Sequence, residues 1–536
     1  MVASRAARAL RRLIWPGLIG VLLLCASTPL MAQSRSFSTD DRIILTDFTH
    51  ISAVATSRDR VFAVAADALV AYDAAGRRWE GPYAPPRPGA LRGVFAAIAD
   101  PLDGGVWLAR QDGYLHFDPG IQLWDEGQVA GQIIDIALDE LAPGSGIFLR
   151  TSSGWYNAGR GGAAFPSAAP QRPVRPPTVE DAIHSNPAIQ ATSASLGFSS
   201  RLRTVRYTSA ARAEAFTGQG WYLGTSGAGL VYFAEGAGLP EPLPFGLPSD
   251  AVDAVYAGLD GIWAVTERTT TSDPAVTFIG GKLDVFQWLQ GPRATGLPFQ
   301  QARRIVGQGS SLWIGTESGV LRLIPRSGEV ERFDEGRGLP DGRVLDVAQQ
   351  RGRVVVGTVH GLAAWRDSLG FQRLAPEFSD AALSVLPMGD TTWVGTRLGL
   401  FVALPGERDL LQPDALRESL TLQAAVLDLA WRADTLVLLT DRRLLWRDPA
   451  NGRFSAGPLL GNALGRLHTI VNGTRGMFVA GEQGIGFAQL NTPILRPVLV
   501  PGELPGQVTD LAVDEDHVWV ATLRGLVRLR RELVGE

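Results

Sequence analysis

Residues 312–323 read LWIGTESGVLRL, and this stretch decides the fold. Leu312, Trp313 and Ile314 are consecutive apolar residues, so the strand they form has no polar face and must be covered on both sides. A tight turn follows, at whose end Gly319 can adopt a positive φ. The chain then returns through alternating residues, VLRL. The stretch therefore predicts two antiparallel strands, of which the first is an inner one.

The same pattern returns about every forty residues. Each copy has an aromatic or β-branched anchor residue just before a small residue. The anchors are Phe62, Trp107, Phe148, Tyr222, Trp263, Trp313, Val355, Trp393, Val437, Phe478 and Trp519. A second mark supports the register, because Leu-Pro pairs beginning at Leu247, Leu297, Leu339 and Leu504 precede their anchors by 15 or 16 residues.

A period of about 40–45 residues with four short strands is typical of a β-propeller blade. The sequence therefore predicts an all-β protein with about eleven four-stranded blades. Because rings usually contain four to eight blades, we expect two rings, with five plus six as the division. The first propeller would span residues 33–290, with an insertion at 160–200, and the second residues 291–536.

The two ends of the chain offer an alternative to this division. The last blade ends at its third strand, and the isolated strand at residues 42–48 (RIILTDF) is free to supply the fourth. In that case the first and last blades would share a ring, and the other ring would be nested inside it. The sequence leaves both arrangements open.

Several copies resemble a known repeat. The segments GLPFQQARRIVGQGSSLWIGTESGVLRL (296–323), GLPDGRVLDVAQQRGRVVVGTVHGLAAW (338–365) and LPGQVTDLAVDEDHVWVATLRGLVRL (504–529) are similar to the two-component regulator propeller repeat. The resemblance implies a periplasmic sensor propeller, a module usually fused to a membrane helix and a histidine kinase. Since only seven residues follow Leu529, we expect any signalling partner to be a separate chain.

Composition narrows the classes of function. The chain has 50 basic and 54 acidic residues in 536, and its net charge of −4 disfavours nucleic-acid binding. A single cysteine, Cys25, excludes an intramolecular disulfide. The six histidines lack the spacing of metal ligands. We therefore expect no metal and no cofactor.

The N-terminus predicts export. Four arginines between residues 5 and 12 precede an apolar run, and small residues follow up to Ala32. This order is typical of a signal peptide over residues 1–32, cleaved near Ala32. A twin-arginine signal at Arg11-Arg12 and a lipid anchor at Cys25 are the alternatives. No later segment is apolar enough to span a membrane, so the mature protein should be periplasmic or secreted.

The one break in the period lies between Phe148 and Tyr222, which are 74 residues apart. Its Pro-rich part, residues 166–177 (PSAAPQRPVRPP), should be extended and exposed. Thr178 to Asp181 resembles a helix start with a capping acid, and Asn186-Pro187 should end that helix. The segment is either a partner-binding arm or a tolerated surface insertion.

Candidate ligand-binding residues come from the turns between second and third strands, which gather on one face of a propeller. They are Arg110, Glu317, His360, Arg397, Arg442, Glu482 and Arg524. Charges of both signs suit a sugar or a mixed-charge ligand. The sequence places no carboxylate beside His360, so no catalytic residue is predicted. Two segments, at residues 103–107 and 260–263, resemble the Asp-box turn of sialidases, which is a structural element.

Three functions remain compatible with these observations. The favoured one is an exported, non-catalytic propeller that binds a small molecule, a glycan or an envelope protein, including a sensor input acting in trans. The second is a structural subunit of an envelope or secretion assembly, with a large exposed apolar patch or a docking arm at residues 166–200. The third is a polysaccharide-acting propeller enzyme, which requires clustered carboxylate, Tyr and His side chains.

Overall fold

The computed structural model describes residues 41–192, 205–213, 218–267, 274–289, 297–367, 369–413, 424–432, 434–448, 450–457, 459, 463–489 and 495–534. All of them belong to one unit, residues 39–536. The predicted signal peptide (residues 1–32), the twin-arginine and lipid alternatives and Cys25 lie outside the described residues. So does part of the predicted insertion at 160–200.

The described strands form eleven antiparallel sheets, which we number along the chain by the position of their second strands. The first strand of the chain, β1 (Arg42–Leu45), belongs to sheet 11. Sheet 1 contains β2 (Ala53–Thr56), β3 (Arg60–Val64), β4 (Leu69–Asp73) and β5 (Arg78–Tyr83). Sheet 2 contains β6 (Val94–Ala99), β7 (Val106–Arg110), β8 (Gly113–Asp118) and β9 (Leu123–Gly127). Sheet 3 contains β10 (Ile133–Asp139), β11 (Ile147–Thr151), β12 (Gly154–Ala158), β13 (Ala164–Ser167) and β14 (Pro173–Val174).

Sheets 4 to 7 follow two short helices, α1 (Val179–Ser185) and α2 (Ala188–Thr192). Sheet 4 contains β15 (Tyr207–Arg212), β16 (Gly220–Thr225), β17 (Leu230–Ala234) and β18 (Glu241–Leu243). Sheet 5 contains β19 (Val252–Ala257), β20 (Gly261–Thr266), β21 (Ala275–Gly280) and β22 (Phe286–Leu289). Sheet 6 contains β23 (Ala302–Gln308), β24 (Ser311–Thr316), β25 (Gly319–Ile324) and β26 (Glu329–Phe333), and a 3-10 turn at Glu335–Arg337 leads to the next sheet. Sheet 7 contains β27 (Val344–Gln350), β28 (Arg353–Thr358), β29 (Gly361–Arg366) and β30 (Gly370–Leu374).

Sheets 8 to 11 complete the fold. Sheet 8 contains β31 (Ala382–Met388), β32 (Thr391–Thr396) and β33 (Gly399–Ala403). Sheet 9 contains β34 (Asp428–Arg432), β35 (Thr435–Leu439), β36 (Leu444–Arg447) and β37 (Phe454–Ala456). Sheet 10 contains β38 (Leu467–Asn472), β39 (Gly476–Gly481), β40 (Gly484–Gln489) and β41 (Leu495–Leu499). Sheet 11 contains β42 (Val508–Val513), β43 (His517–Thr522), β44 (Gly525–Arg530) and β1, and a 3-10 turn at Arg531–Val534 follows.

The quoted stretch folds as its sequence predicts. Every residue of β24 is buried, because apolar neighbours cover both faces of the strand. The turn after it is fixed by the Thr316 hydroxyl, which donates to the Gly319 carbonyl at 2.8 Å. Gly319 has a φ of +127°, and a Cβ there would lie 2.2 Å from the Phe333 carbonyl oxygen. The same Thr-to-Gly hydrogen bond closes the turns at Thr151–Gly154, Thr358–Gly361, Thr396–Gly399 and Thr522–Gly525.

The predicted repeat is confirmed, because each of the eleven anchors lies in the second strand of one sheet. Trp107, Trp313 and Trp519 are among the largest fully buried side chains of the described residues. Among the residues that the structure describes, sheets 3 and 8 depart from the four-stranded pattern. Sheet 3 has a fifth strand, β14, beside β10, and sheet 8 has three strands and an isolated bridge between Val402 and Leu411.

The isolated N-terminal strand completes the last sheet, as one of the two sequence alternatives predicts. Strand β1 pairs antiparallel with β44, and Ile44 lies opposite Val527. The chain then runs beside the connection between sheets 4 and 5, where the Phe48 N–H donates to the Leu247 carbonyl at 3.1 Å. Phe245 contacts Phe48, Trp79 and Phe286 there, with ring centroids 4.5–5.1 Å apart. Residues near both ends of the described chain, such as Leu45 and Leu526, thus pack in one buried cluster.

Inner strands of neighbouring sheets contact one another in two series. In the first series β19, β23, β27, β31, β34, β38 and β42 follow one another, and β42 also contacts β19. In the second, β15 contacts β2, β2 contacts β6, and β6 contacts β10. Aspartates reinforce the first series, since the Val255 N–H donates to Asp510 at 3.0 Å and the Ala302 N–H donates to Asp253 at 2.7 Å. Sheet 5 is therefore bonded to both sheet 6 and sheet 11.

Part of the 160–200 insertion is folded onto the sheets. The predicted helix start is confirmed, since Thr178 and Asp181 form a reciprocal capping box and α1 ends before Asn186. Ala182 and Ile189 are buried against the side chains of sheet 4. The Pro-rich segment is largely exposed, as predicted, but it pairs with sheet 3 through β14.

Candidate functional site

The predicted ligand-face residues occupy equivalent places in the fold. Six of them lie in the turns between second and third strands of sheets 6 to 11: Glu317, His360, Arg397, Arg442, Glu482 and Arg524. Arg110 instead ends β7 in sheet 2 and is buried. Its guanidinium donates to the Ala90 carbonyl at 2.8 Å and lies 3.0 Å from Asp112 and 3.6 Å from Glu126. Arg110 therefore joins loops of sheet 2 instead of extending from a turn tip.

His360 has a carboxylate partner, which corrects the sequence interpretation. Its Nδ1 lies 2.7 Å from Asp341 Oδ2, in the loop that leads into β27. Burial would raise the pKa of Asp341, but the hydrogen bonds from His360 and the Arg343 N–H outweigh it and lower this pKa. The sequence could not reveal the pair, because β27 and β28 lie between the two residues and only the pairing of these strands brings Asp341 and His360 together.

The predicted residues are not joined into one site by the contacts of the described residues. Glu317 accepts from the N–H groups of Gln300 and Gln301, at 2.8 and 3.0 Å. Arg397 and Arg442 are exposed. Glu482 borders a shallow cavity of 340 Å³, and Arg524 borders a separate cleft of 750 Å³ between β1 and the loops of sheet 1.

A larger pocket than these two lies elsewhere among the described residues, between sheets 1 to 4. It has a volume of 780 Å³, within the usual range for ligand sites. The carboxyl ends of all four inner strands line it, and so do the first hairpin turns of sheets 1 and 2. The Thr56 hydroxyl donates to the Arg212 carbonyl at 2.7 Å and so joins sheets 1 and 4 at its edge.

This pocket and the predicted turns lie at opposite ends of the strands. Asp103 and Gly104 line the pocket and precede β7, whereas Arg110 ends it. The Pro-rich part of the insertion forms one wall. Arg175 there contacts Asp135 at 2.9 Å, and Asp139 accepts from the N–H groups of Gln171 and Arg172 at 2.9 and 3.1 Å. The bond from Gln171, with those from Leu141 and Arg172, lowers the pKa of Asp139.

Some charged side chains at the pocket are left for a ligand. Among the described residues, Arg58, Asp59 and Arg212 have exposed side chains without a hydrogen-bond or ion-pair partner. Arg60, by contrast, pairs with Glu80 at 3.1 Å. Apolar side chains, including the exposed Leu102, form the remaining wall. The pocket therefore combines free charges of both signs with an apolar surface.

A buried cluster borders the same pocket. The Nε2 atom of His116 lies 3.3 Å from Asp100 Oδ2 and 3.4 Å from Asp103 Oδ2. The guanidinium of Arg160 lies 3.3 and 2.9 Å from the same two oxygens. Burial would raise the pKa of Asp100, but His116, the Leu102 N–H and Arg160 together lower it to about 2. Asp100 is therefore ionised at every physiological pH.

A second charged cluster lies on the inner strands of sheets 6, 7, 9 and 11. The Arg304 guanidinium donates to Asp346 at 3.1 Å, to Asp428 at 3.0 Å and to Asp510 at 3.2 Å. Burial would lower the pKa of Arg304, but the three carboxylates raise it well above its ordinary value. Burial raises the pKa of Asp510 to about 6, although Arg304 opposes the shift. One arginine therefore spans strands that are up to 206 residues apart in sequence.

Sequence reasoning missed the pocket and both clusters. Small residues near the ends of the inner strands, such as Ala97 and Ala211, line the pocket and give no motif. His116 offered one signal, a polar residue inside the apolar strand GYLHFD. Pairing of β7 with β8 places it opposite Trp107 and thereby next to the Asp100 loop.

Comparisons with known proteins give the following results. No protein-family model and no curated protein matches the chain. Among solved structures, the extracellular domain ascribed to a hybrid two component system of B. thetaiotaomicron is 12% identical. That match covers 89% of this chain and 70% of the other, with a TM-score of 0.38.

Two further structures have similar scores. PorZ, a bacterial surface component of the type-IX secretion system of Porphyromonas gingivalis, is 12% identical over 92% of this chain and 73% of its own, with a TM-score of 0.42. The WD40 β-propeller domain of Doa1 is 11% identical over 54% of this chain and 95% of its own, with a TM-score of 0.41. The strand pairing indicates a propeller, whereas likenesses with scores this low add no support.

Among the described helices, which include α1 and α2, none has both the length and the hydropathy that a membrane crossing requires.

Proposed function

We propose that the protein is an exported, non-catalytic β-propeller that binds a polar ligand in the pocket among sheets 1 to 4. The observation that carries the proposal is the pocket itself. It is large enough for an oligosaccharide of a few units, and it offers two free guanidinium groups, of Arg58 and Arg212, beside one free carboxylate, of Asp59. Such a site suits a glycan that carries carboxylate groups, because guanidinium binds carboxylate in a bidentate manner.

We further propose that the sheets form two rings, of seven and four blades. Sheets 5 to 11 would form the larger ring, closed by the contact of β42 with β19, and sheets 1 to 4 the smaller one. The smaller ring would then be inserted between β1 and sheet 5. The five-plus-six division at residues 290/291 stays a prediction, but the bonds of sheet 5 to both sheet 6 and sheet 11 favour the new grouping.

The ring proposal explains the position of Arg304. Its three carboxylate partners belong to sheets 7, 9 and 11, while Arg304 itself lies in sheet 6. A single side chain can touch strands of four such sheets only if their inner strands surround a common axis. The cluster would therefore fill the axis of the seven-blade ring, and ligand binding is assigned to the other ring, where a pocket is present.

The insertion favours ligand binding over a purely structural role. A docking arm for an envelope assembly should extend from the sheets, whereas residues 171–177 lie against sheet 3 and form a wall of the pocket. A sensor input acting in trans, as in the two-component regulator propeller proteins, is compatible with this geometry. In that case the ligand would be the signal, and the output would require a second chain.

The test is ligand screening with the mature protein, starting after Ala32. Thermal shift against neutral and uronic-acid oligosaccharides should give a stabilising hit among the acidic ones, because a ligand that binds only the folded state raises its stability. Calorimetry with that hit should show at least a tenfold loss of affinity in Arg58→Ala and in Arg212→Ala. Arg397→Ala and Arg442→Ala are matched controls and should bind normally. Loss in the control variants alone would instead favour the turns of sheets 6 to 11.

A further inference from the structure

The side chains of Asp100, Asp103 and His116 converge at one point in sheet 2. One ligand atom from each lies within 4.8 Å of the other two. The His116 side chain keeps only 1% of its surface exposed, and its Nε2 atom has no hydrogen-bond partner. The Oδ2 atom of Asp103 is likewise buried and makes no hydrogen bond of good geometry, although the Arg160 guanidinium forms an ion pair with it at 2.9 Å. A buried imidazole nitrogen aimed at two carboxylates needs a shared partner, because leaving such polar atoms unsatisfied is costly.

The separations identify the kind of partner. In tetrahedral zinc sites the metal lies about 2.0–2.1 Å from nitrogen and oxygen ligands, so two ligand atoms are about 3.3–3.4 Å apart. His116 Nε2 lies 3.3 Å from Asp100 Oδ2 and 3.4 Å from Asp103 Oδ2. These distances exceed a good hydrogen bond but match two edges of a metal tetrahedron.

The surroundings hold each ligand in place. The Trp107 indole donates to Asp100 Oδ2 at 3.0 Å, and its ring packs on His116 with centroids 4.2 Å apart. Backbone N–H groups of Leu102 and Gly105 bind the other oxygens of Asp100 and Asp103, at 2.9 and 2.7 Å. The two Oδ2 atoms are thereby directed toward His116. Such supporting contacts are usual around metal ligands.

A cation already interacts with this cluster, and it is one that can move away. The Arg160 guanidinium lies 2.9 Å from Asp103 Oδ2 and 3.3 Å from Asp100 Oδ2. Its side chain is 43% exposed, and glycines flank it at 159, 161 and 162. Arg160 thus supplies positive charge from a partly exposed side chain, and it donates a hydrogen bond to Asp100 Oδ2.

We propose that Asp100, Asp103 and His116 form a binding site for a divalent transition-metal ion such as Zn²⁺, with Arg160 as the competing cation. One imidazole and two carboxylates suit zinc, whereas calcium and magnesium favour oxygen ligands alone. Because Asp100 and Asp103 also line the pocket of sheets 1 to 4, the fourth position of the metal would face that pocket. The proposal is independent of the polar-ligand proposal, since metal binding is measured without any glycan.

The experiment is calorimetric titration of Zn²⁺ into the mature protein after treatment with a chelator. Wild type should bind one equivalent. Asp103→Asn should lose at least tenfold in affinity, because it removes one anionic ligand with little change in shape. Arg160→Ala should bind about tenfold more tightly, because it removes the competing cation. A purely structural ion cluster would not show this gain.

Two further measurements fix the location. His360→Gln is the matched control, because His360 and Asp341 form another histidine–aspartate pair that could bind zinc at the surface; it should leave the affinity unchanged. With Co²⁺, the visible absorption of wild type should be intense, as for a four-coordinate site, and should be lost in His116→Gln. Absence of binding in both wild type and Arg160→Ala, or a loss confined to His360→Gln, would overturn the proposal.

Discussion

Replacing Arg304 by methionine should strongly destabilise the fold at neutral pH. Methionine keeps much of the length and the apolar stem of arginine but removes the charge that Asp346, Asp428 and Asp510 share. Those carboxylates keep only 6%, 5% and 2% of their side-chain surface exposed. Removal of one partner from a buried ion pair typically costs about 3–5 kcal/mol.

The total loss of stability should stay near about 3–5 kcal/mol and should not be three times as large, because each carboxylate keeps a hydrogen bond from a backbone N–H group. Asp346 accepts from Val385 at 2.8 Å, Asp428 from Ile470 at 2.9 Å and Asp510 from Val255 at 3.0 Å. Without the cation, Asp346 and Asp510 will also bind protons more readily, because Arg304 lowers the pKa of both. The loss of stability should therefore depend on pH.

The sign of that dependence follows from Asp510. Burial raises its pKa from 3.8 to about 6 in the folded protein. This shift corresponds to roughly 3 kcal/mol of stability that is present below the unfolded pKa and is lost as pH rises through the folded pKa. Without Arg304 the pKa values of Asp346 and Asp510 rise further, because Arg304 lowers both in the wild type. At pH 5 Asp510 of the variant is therefore largely protonated, and the deficit in stability should shrink by roughly 1–3 kcal/mol relative to pH 7.5.

The assay is urea unfolding followed by tryptophan fluorescence, at pH 7.5 and pH 5.0. Arg303→Met is the matched control, because its side chain is exposed, and surface changes usually stay within about 0.5 kcal/mol. If Arg304→Met unfolds at the same urea concentration as Arg303→Met, or if its deficit grows at pH 5.0, the assignment of Arg304 as the shared counter-ion is wrong.

Two further predictions concern the fold. Trp313→Ala should lower the free energy of unfolding by about 3–5 kcal/mol, because Trp313 is 1% exposed and packs on Phe333, Trp365 and Phe371. Urea unfolding measures this loss, and an unchanged midpoint would contradict the packing between sheets 6 and 7. Thr178→Ala should destabilise α1 by about 1 kcal/mol through loss of its capping box. Limited proteolysis should cleave the variant faster than wild type within residues 178–192 and leave the remaining chain intact. Equal cleavage rates in variant and wild type would contradict the prediction.

The sheets were predictable from the sequence because each is local. An apolar strand such as β24 and the Thr–Gly turn after it are encoded within a dozen residues, and Trp313 marks their position. The closure of sheet 11 by β1 was also suggested, since an unpaired strand and an incomplete sheet are both visible in the sequence.

The grouping of the sheets was not predictable in the same way. It depends on contacts between distant residues, such as Arg304 with Asp510, and on the insertion of sheets 1 to 4 between β1 and β19. The spacing of 41 residues between the anchors Tyr222 and Trp263 does not mark the boundary between sheets 4 and 5. Phe48 lies between β1 and sheet 1, and Phe245 lies between sheets 4 and 5. Their contact likewise involves residues without a recognisable motif.

The candidate site was harder still. Turn residues such as Arg397 and Arg524 carry the visible charges, so the sequence directs attention to that end of the strands. The pocket instead lies at the other end, where alanines and prolines leave space, and where Arg58 and Arg212 come from sheets that are distant in the chain. His116 and Asp100 meet because a hairpin places His116 beside Trp107. That pairing is a property of register, which residue type alone does not reveal.

Binding of a polar ligand among sheets 1 to 4 is tested most directly by hydrogen–deuterium exchange. Exchange of the mature protein is compared with and without the acidic oligosaccharide found by thermal shift. Slower exchange is expected at the amides of residues 56–60, 102–104 and 174–175, which line the pocket. Protection confined to the turns that contain Glu317, His360, Arg397, Arg442, Glu482 and Arg524 would contradict it.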